Sequence, residues 1–426
     1  MADYKRKRRS AFSSAPKVKK SRIKGRTDQS RHNIEMAPEN DYKPQKNMRV
    51  VKGKRFEAKR RLKVVAVILA IVIATSLLCE WLIPAGIAET VSNSIATIGS
   101  GSYPAPLESS NTVNAVSKGS YYYVLTNGRI EAYSGSGKRI FSHSHGFERP
   151  VLKTSATRAL VFGQDSTQAL IFTLNGLKST VDTKNKIKTA AIGDDGTYAL
   201  VTAADSYAAQ VSVYKKNNKL LYEWFSSKDL VNNVAVAPSG KKVAVSTISS
   251  AVGSYNSKLL VLSVKASTPE YEKSYQDTVI YALDTSFRGG FSVITAHKYD
   301  FIKWSDFKIK EYKNDYSSAM FRTGNNGMAM VYNRENDKTD NRIAIFSKSG
   351  ELERELEFKG IITDFAFKDG HVYCLSDTKA YILDDDGTVM RSADCGFGAV
   401  KICPISQSAA AVITDNVITK IKLEQE

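Results

Sequence analysis

Eight segments of similar sequence recur along the C-terminal part of the chain. Each is a polar or glycine-containing turn followed by a run of apolar and β-branched residues that ends in a small or polar residue. The segments begin 37 to 49 residues apart, at 117–126, 155–163, 193–202, 237–246, 286–295, 323–332, 367–376 and 405–414. A period of about 40 to 45 residues in an all-β pattern is typical of a propeller, in which one repeat forms one blade.

A further pair of strands follows most of these segments, as in residues 130–141 (IEAYSGSGKRIF) and 343–355 (IAIFSKSGELERE). The two strands of each pair are joined by a tight turn. Four strands per repeat is the number that a blade requires. The repeats therefore predict an all-β domain over residues 112–426, folded as an eight-bladed β-propeller or, if the ring closes differently, a seven-bladed one.

The last repeat, residues 399–426, contains three predicted strands instead of four. Propellers remove exposed strand edges by closing the ring. We therefore predict that the connector before the first blade, residues 85–111, supplies the missing outer strand. The β-branched segment Ser94–Ile98 (SIATI) is the expected strand.

An uncharged apolar run, Val64–Cys79, precedes the connector and continues to Ile83 with Glu80 as its one charged residue. About 20 mostly apolar residues suffice for a helix that crosses a bilayer. Pro84 then ends the helix. The sequence predicts a transmembrane signal-anchor helix over residues 63–84. A cleaved signal peptide is the alternative, and the long segment before the run argues against it.

Charge is distributed unequally about this run. Met1–Lys63 holds 22 Lys and Arg against 6 Asp and Glu, whereas the rest of the chain holds 39 against 37. Basic residues beside a spanning helix stay on the cytoplasmic side. We therefore predict a single-pass protein of the cell membrane, with a cytoplasmic N-terminus and an extracytoplasmic C-terminal propeller.

Residues 1–62 are dense in charge and poor in apolar side chains, which predicts a disordered basic tail. The part nearest the membrane is expected to contact anionic lipid at the inner leaflet, since each basic residue there contributes roughly 1 kcal/mol. The candidate contact residues are Lys52, Lys54, Arg55, Lys59, Arg60, Arg61 and Lys63. Aromatic residues for stacking on bases are sparse, so we do not expect nucleic acid as a partner.

A basic tail, one signal anchor and a propeller whose turns follow the pattern Gly-x-x and then four apolar residues resemble a known family. It is a family of unknown function of single-pass, membrane-anchored β-propeller proteins from clostridial Gram-positive bacteria. The resemblance covers nearly the whole chain. Its motifs are structural, so it implies the fold and the anchor but no catalytic residue.

Recognised catalytic and cofactor-binding motifs are absent from the sequence. Asp384–Asp386 lacks the spacing of a calcium loop and aligns with plain turns of other repeats. His143 and His145 share one face of a predicted strand, without an identifiable third metal ligand. Cys395 and Cys403 either pair or act as small buried side chains. We therefore predict a non-enzymatic protein without a metal or a cofactor.

Variation in length is concentrated in the loops between the second and third strands of the repeats, at 203–210, 247–258 and 333–342. These loops and the blade-linking stretch 265–278 are expected at one end of the propeller. Variable loops on a rigid scaffold commonly carry binding sites. The candidate contact residues are Tyr207, Tyr255, Tyr271, Asn336 and Asp340.

These features together predict an interaction module that holds an envelope protein or polymer near the membrane. Two alternatives stay open. The first is a sensor that reports ligand binding across the membrane through a separate partner. The second is an envelope carbohydrate-processing enzyme, which an acidic or histidine cluster at the central channel would favour.

Overall fold

The computed structural model of the chain describes residues 55–82, 86–251, 253–285, 289–324 and 326–425, without the side chains of 55–61, 76–82 and 251. Most of the predicted basic tail, residues 1–62, lies outside this description. The chain divides into two compact units, Met1–Val65 and Ala66–Glu426.

Two helices precede the first blade: α1 spans Arg55–Leu82 and α2 spans Ile87–Ala96. The large apolar side chains described in α1, from Leu62 to Ile73, are each more than half exposed. Within the described part of the chain, neither helix combines the length and the apolar character that crossing a bilayer requires. The end of the predicted span, residues 76–84, has no described side chains.

The strands form eight antiparallel sheets in the described residues. A short strand, β1 (Ala105–Pro106), comes before the first blade. Blade 1 contains β2 (Thr112–Lys118), β3 (Tyr121–Thr126), β4 (Arg129–Ser134) and β5 (Arg139–Ser144). Blade 2 contains β6 (Pro150–Thr154), β7 (Ala159–Gly163), β8 (Gln168–Thr173) and β9 (Gly176–Asp182). Blade 3 contains β10 (Ile187–Ile192), β11 (Tyr198–Thr202), β12 (Ala209–Tyr214) and β13 (Leu220–Ser226).

The next three blades follow the same plan. Blade 4 contains β14 (Leu230–Val236), β15 (Lys242–Ala251), β16 (Ser254–Ser263) and β17 (Tyr271–Tyr275). Blade 5 contains β18 (Ala282–Asp284), β19 (Gly290–Ile294), β20 (Lys298–Lys303) and β21 (Ile309–Lys313). Blade 6 contains β22 (Ser317–Thr323), β23 (Gly327–Arg334), β24 (Asp337–Ser347) and β25 (Leu352–Lys359).

The last two blades complete the ring. Blade 7 contains β26 (Asp364–Lys368), β27 (His371–Ser376), β28 (Lys379–Leu383) and β29 (Val389–Asp394). Blade 8 contains β30 (Lys401–Ser406), β31 (Ala409–Ile413) and β32 (Val417–Lys422), with β1 as its fourth strand. A final strand, β33 (Glu424–Gln425), adds a fifth strand to blade 7 by pairing with β29.

Strands follow one another across each sheet in sequence order, and we call them a to d from the first to the fourth. The a strands of neighbouring blades lie side by side, and β2 of blade 1 lies beside β30 of blade 8, which closes the ring. The eight repeated segments of the sequence coincide with the turns into the b strands and the b strands themselves. The predicted eight-bladed propeller is confirmed.

The b strands explain why the repeats are so visible in the sequence. Every residue of β3, β7, β11, β19 and β31 is buried. Both faces of each inner strand pack against neighbouring blades, so these strands are continuous apolar runs instead of alternating ones. The apolar core therefore lies between blades around the whole ring.

The prediction for the closing strand was right in kind and wrong in position. The missing strand of blade 8 comes from the N-terminal connector, but it is β1, which pairs with β32 through Ala105↔Ile418 and Pro106↔Val417. Ser94–Ile98, the predicted strand, instead forms the end of α2 and the turn after it. These residues therefore contact the propeller as part of a helix and its end, and not as a strand of blade 8.

Side chains of blade 1 hold β1 in place. The Tyr133 hydroxyl oxygen lies 3.0 Å from the carbonyl oxygen of Pro106 and 2.6 Å from the Glu131 carboxylate, and its one proton is shared between these two acceptors. Glu131 is fully buried and also accepts a bond from the backbone N–H of Glu108, at 3.0 Å. The seam of the ring thus depends on a polar cluster of the neighbouring blade.

The propeller has two distinct ends. The a–b and c–d turns lie at one end, which we call the a–b face. The b–c turns and the links between blades lie at the other end, the b–c face. This division follows from the sequential antiparallel order of every blade.

Helix α2 docks on the a–b face through buried polar contacts. The Asn93 side chain donates to the carbonyl oxygen of Thr157, at 2.8 Å, and accepts from the N–H of Leu174, at 3.3 Å. Glu89 forms an ion pair with Arg158, whose side chain is 3% exposed. All three partners belong to blade 2, so α2 is fixed to that blade.

A lysine of blade 1 holds the C-terminal end of the same helix. The Lys138 ammonium group donates to the carbonyl oxygen of Ala96, at 3.2 Å, and to that of Ile98, at 2.6 Å. A cation at this position satisfies carbonyl groups that the helix leaves unpaired and complements the helix dipole. The helix is therefore held by two blades.

Candidate binding face

Two long hairpins extend the b–c face, one on blade 4 and one on blade 6. In blade 4, β15 and β16 pair with each other beyond the points where β14 and β17 stop pairing. In blade 6, β23 and β24 pair as far as Arg334↔Asp337. The stretches 247–258 and 333–342, predicted as loops, are therefore largely strand. Both faces of a projecting hairpin meet solvent, so its strands have the polar sequence of a loop.

A cleft of about 560 Å³ lies beside the blade 4 hairpin, where blade 4 meets blade 5. Its lining includes Tyr255 of the hairpin, Tyr281 of the link between the blades, and His297 and Lys298 of blade 5. The two tyrosines are 61% and 56% exposed. A second depression, of about 480 Å³, shares His297 and Lys298 and extends along residues 313–315. Together they form a continuous candidate binding site.

A fully buried carboxylate, Asp300, contacts three residues that line the cleft. The Tyr275 hydroxyl donates to Asp300 Oδ2 at 2.6 Å, and the Lys273 ammonium group lies 2.9 Å from the same oxygen. Lys298 lies 3.5 Å from Asp300 Oδ1. Two cations and a phenol from two blades are therefore fixed around one anion.

The protonation states of these groups follow from their surroundings. Burial raises the pKa of the Tyr275 hydroxyl, and the Asp300 charge raises it further, so it stays a neutral donor. Burial lowers the pKa of Lys298, but contacts with Glu311 and Asp300 outweigh this effect and the pKa is raised overall. The Tyr275 proton is used by Asp300, so the cleft presents the ammonium groups of Lys273 and Lys298 beside two exposed tyrosine rings. Such a surface binds by hydrogen bonding and stacking.

The structure places four of the five predicted contact residues on the b–c face. Tyr255 lines the cleft, Asn336 lies at the exposed tip of the blade 6 hairpin, and Tyr207 lies in the b–c loop of blade 3. Asp340 lies in the same hairpin as Asn336. Tyr271 lies at the opposite end of blade 4, because it begins β17 immediately after the c–d turn.

Asp340 is a structural residue of the blade 6 hairpin. It is 8% exposed and accepts hydrogen bonds from Lys359 and from the Tyr316 hydroxyl, the latter at 3.1 Å. Arg334 lies 3.5 Å away. The hydrogen bond from Lys359 lowers the pKa of Asp340, so the carboxylate stays ionised. It fixes the base of the hairpin.

Tyr207 and Tyr271 each pack on an aromatic neighbour. The Tyr207 ring lies 5.0 Å from that of Phe225, between centroids, and remains half exposed. The Tyr271 ring stacks on Phe307 at 4.8 Å. Neither ring lines the cleft between blades 4 and 5.

Several lining residues of the cleft were not named as contact residues, among them Lys273, Tyr281, His297 and Lys298. Lys273 lies within the predicted stretch 265–278, whereas Tyr281, His297 and Lys298 come from a short link, a short b–c turn and a strand, which the prediction did not consider. One signal was present in the sequence. Asp300 is a charged residue within the otherwise apolar segment 299–302, and a buried charge requires partners nearby.

The predicted lipid-contact residues fall at the edge of the described chain. Lys52 and Lys54 lie outside it. The side chains of Arg55, Lys59, Arg60 and Arg61 are not described, although their backbone belongs to α1. Lys63 is exposed. The lipid contact stays a prediction.

The two candidate metal-ligand histidines have structural partners. His145 is buried, with Nε2 3.0 Å from the carbonyl oxygen of Thr126 and Nδ1 accepting from the N–H of Phe147 at 3.0 Å. Burial lowers its pKa. The His143 ring packs edge-on against Phe172. Among the described residues, no group of three or more His, Cys, Asp or Glu is placed to hold a metal ion.

The three cysteines of the propeller are free thiols. Cys374 and Cys403 are buried in β27 and β30, and Cys395 is partly buried. Of the two alternatives for Cys395 and Cys403, pairing is therefore not observed. Burial raises the pKa of the Cys403 thiol to about 12.

The charged residues of the a strands are mainly basic. In the described chain they are Lys118, Lys153, Lys188, Asp284, Arg322, Asp364, Lys368 and Lys401. Asp364 lies 2.6 Å from Arg322 and 3.5 Å from Lys401. Burial lowers the pKa of Lys118 and Lys153, and the Asp284 charge opposes that effect.

Comparison with known proteins now places the chain. The sequence model of a family of unknown function matches residues 102–423, almost the whole propeller. The chain belongs to DUF5711. The predicted membership of a family of unknown function is confirmed, whereas the clostridial origin and the membrane anchor of that family stay predictions. No protein of curated function matches the sequence.

Solved structures similar to this DUF5711 protein include functionally diverse proteins. BamB from Moraxella catarrhalis is 10% identical, with a TM-score of 0.46 over 74% of this chain and 99% of its own. The Cps50 (Swd1) β-propeller domain of Myceliophteria thermophila is 10% identical, with a TM-score of 0.43 over 74% and 97%. Hydrazine synthase of Kuenenia stuttgartiensis is 11% identical, with a TM-score of 0.42 over 77% and 100%. At these values the likenesses say nothing about function.

Proposed function

We propose that this DUF5711 protein is a membrane-anchored, extracytoplasmic scaffold that binds an envelope protein or polymer without catalysing a reaction on it. The partner would bind on the b–c face, in the cleft between blades 4 and 5. The observation that carries this proposal is the cleft of about 560 Å³, in which two exposed tyrosines stand above a fixed group of charges.

The cleft has the attributes of a preorganised binding site. Tyr255 and Tyr281 offer aromatic surface with few rotatable bonds, which costs little entropy on binding. Asp300 fixes Lys273 and Lys298 from below, so their donors need not be ordered when a partner arrives. Such preorganisation supports recognition of a polar partner with rings or extended backbone.

Support for the anchor comes from the sequence. The run Val64–Ile83 contains one charge, and the excess of basic residues lies on its N-terminal side. The N-terminal tail would then be cytoplasmic, with residues 52–63 beside anionic lipid of the inner leaflet. Replacing the seven basic residues of that segment by Gln should impair this topology. Reporter fusions at both termini would measure it, and an unchanged topology would argue against the assignment.

Crosslinking in living cells tests the binding face. We expect the full-length chain and a version without residues 1–50 to capture the same envelope partner. Tyr255→Ser and Tyr281→Ser should each lower its recovery several-fold. Tyr207→Ser is the matched control, since it removes a half-exposed tyrosine of the same face outside the cleft.

The outcomes separate the alternatives. Unchanged recovery with both cleft variants would reject the cleft as the binding site. Loss with Tyr207→Ser as well would indicate a contact spread over the whole face. Recovery that depends on residues 1–50 alone would reject the propeller as the working part of the protein.

A further inference from the structure

The orientation of α2 on the propeller is the reverse of that of an ordinary docked helix. Its polar side, with Glu89 and Asn93, contacts the propeller. Its apolar side faces away, with Ile87, Val91 and Ile95 exposed by 37%, 50% and 61%. These three residues are spaced four apart, so they form one stripe along the helix.

An amphipathic helix that packs on its own domain ordinarily buries its apolar side. Here the ion pair and the buried amide hold the polar side against the blades, and the apolar stripe is left to another surface. Ile98, which follows the helix, continues the stripe and is 70% exposed. Leu177, in the same face of blade 2, adds an apolar side chain that is 42% exposed. The stripe therefore offers an exposed apolar contact surface.

The a–b face around α2 is basic. Six exposed lysines in or beside its turns form no ion pair within the described residues. They are Lys178, Lys215, Lys219, Lys241, Lys265 and Lys348. Acidic residues lie in some of the same turns, namely Asp194, Asp195, Asp306 and Glu351, and the corresponding turn of blade 7, Asp384–Asp386, is acidic. The excess of basic charge therefore lies mainly in blades 2 to 4. An occupant that is apolar inside and anionic at its surface matches both features.

The position of α2 in the sequence points to the same occupant. Four residues, 83–86, separate the end of α1 from the start of α2. Four residues extend over at most about 14 Å. If the apolar run Val64–Ile83 spans the bilayer, the stripe of α2 therefore lies close to the extracytoplasmic surface of that bilayer. This step rests on the membrane anchor of the proposed function.

We propose that α2 and the basic a–b face form a membrane-contact surface for anionic lipid. The stripe of Ile87, Val91 and Ile95 lies among the acyl chains just below the headgroups, parallel to the bilayer, as amphipathic helices do. The lysines of the turns contact the headgroup phosphates. The propeller is thereby held flat on the membrane, with its b–c face turned outward.

The depth of α2 in a bilayer tests the proposal directly. The full-length chain, with Cys79 and Cys395 changed to Ser, is reconstituted into phosphatidylglycerol vesicles and carries a nitroxide at Val91→Cys. At each labelled position, relaxation of the nitroxide by oxygen is divided by its relaxation by a soluble nickel complex. We expect this ratio to be several-fold greater at position 91 than for a nitroxide at Asn336→Cys, the matched control on the blade 6 hairpin. Equal values at the two positions in vesicle-bound protein would overturn the proposal.

Three results are distinguishable in this experiment. Failure of the chain to float with the vesicles would reject the anchor, and with it the proposed localisation. Flotation with a water-exposed nitroxide at position 91 would reject only the contact surface. Crosslinking between position 91 of two chains, independent of lipid, would reject the membrane as occupant in favour of a second copy.

Two variants identify the contributing residues. Val91→Asp together with Ile95→Asp should abolish the oxygen exposure of a nitroxide at Ile98→Cys while leaving flotation intact. Lys215→Glu together with Lys219→Glu should weaken the contact in phosphatidylglycerol vesicles and have no effect in phosphatidylcholine vesicles. Lys338→Glu, on the opposite face, is the charge-matched control. Oxygen exposure unchanged by both double variants would contradict the assigned surface.

Discussion

At the scale of single residues, the ion pair between Glu89 and Arg158 determines how firmly α2 is held. Burial raises the pKa of the Glu89 carboxyl group, but the hydrogen bond and charge of Arg158 outweigh this, and the pKa is lowered overall from 4.5. The guanidinium is almost inaccessible to water. Loss of the carboxylate would leave the buried Arg158 cation without its counter-ion, with the carbonyl oxygen of Lys216 as its remaining acceptor at 3.0 Å, which is costly.

The docking of α2 should depend on pH for this reason. Because the pKa of Glu89 is lowered in the folded protein, its stabilising effect is present above the ordinary value and is lost as pH falls through the folded-state value. We expect hydrogen-exchange protection of α2, corrected for intrinsic rates, to decrease below a pH of about 4.5. Glu89→Gln should weaken docking by about 2 kcal/mol at neutral pH and remove the acid dependence. Identical protection of the variant and the natural chain at both pH values would contradict this role.

The thiols of the propeller should differ sharply in reactivity. The pKa of Cys403 is raised from 9.0 to about 12, so its thiolate at pH 8 is about 10³-fold less abundant than that of an ordinary cysteine. Cys395 is only partly buried. We expect iodoacetamide to label Cys395 first in the folded protein, as read by peptide mass spectrometry. Labelling of Cys403 in a Cys395→Ser variant at an equal rate would show that β30 opens readily.

At the scale of elements, the closing strand shows why one sequence prediction failed. Ser94–Ile98 has two isoleucines and a threonine, which are typical of strands. Its actual structure is decided by tertiary contacts of α2 that no local pattern contains. Ala105–Pro106, the real strand, has weak strand propensity. Pro106 is tolerated there because the outermost strand pairs on one side only, so one of its residues can lack a backbone N–H donor.

The seam of the ring should be sensitive to one hydroxyl group. Tyr133→Phe removes the hydrogen bonds to Pro106 and Glu131, and we expect it to destabilise the seam by about 2 kcal/mol. Exchange of the Leu107 amide, which donates to Asn416, would measure this locally. Tyr332→Phe is the control, since that equally buried hydroxyl donates to the weak acceptor Met330 Sδ at 3.5 Å. Equal effects of the two changes would mean that Tyr133 does not hold the seam.

Other elements were predictable to different degrees. The b strands were found because burial on both faces makes them continuous apolar runs. The hairpin stretches 247–258 and 333–342 were assigned as loops because solvent on both faces removes the apolar pattern. The cleft was only partly predicted, through Tyr255. Its other residues, such as Tyr281 and Lys298, are brought to it by the ring, and their proximity leaves no trace in local sequence.

At the scale of the whole molecule, the two proposed contact surfaces lie at opposite ends of the ring. Helix α2 is bound to the a–b face, and the cleft opens on the b–c face. Apolar clusters between each pair of neighbouring blades hold the ring together, so the distance between the ends is set by strand length. A partner in the cleft and a membrane under α2 would not compete for space.

This arrangement predicts the distance of each end from the bilayer. Asn217 lies in the c–d turn of blade 3, on the a–b face, and Asn336 lies at the tip of the blade 6 hairpin. We expect a dye at Asn217→Cys to transfer energy to a lipid-borne acceptor more efficiently than one at Asn336→Cys. Both dyes are attached to the full-length variant in which Cys79 and Cys395 are changed to Ser. The reverse order would mean that the propeller stands with its b–c face toward the membrane.

The attachment of α2 upstream of β1 also has a mechanical consequence. A pull on the chain from its N-terminal side meets α2 first, where an ion pair, a buried amide and a lysine clamp resist it together. The seam beyond it is short: two paired residues, Ala105 and Pro106, one backbone bond from Leu107 to Asn416, and the side-chain contacts of blade 1. The helix therefore protects the seam from tension. When a tethered propeller is pulled, the contacts of α2 with blades 1 and 2 should break before the ring opens.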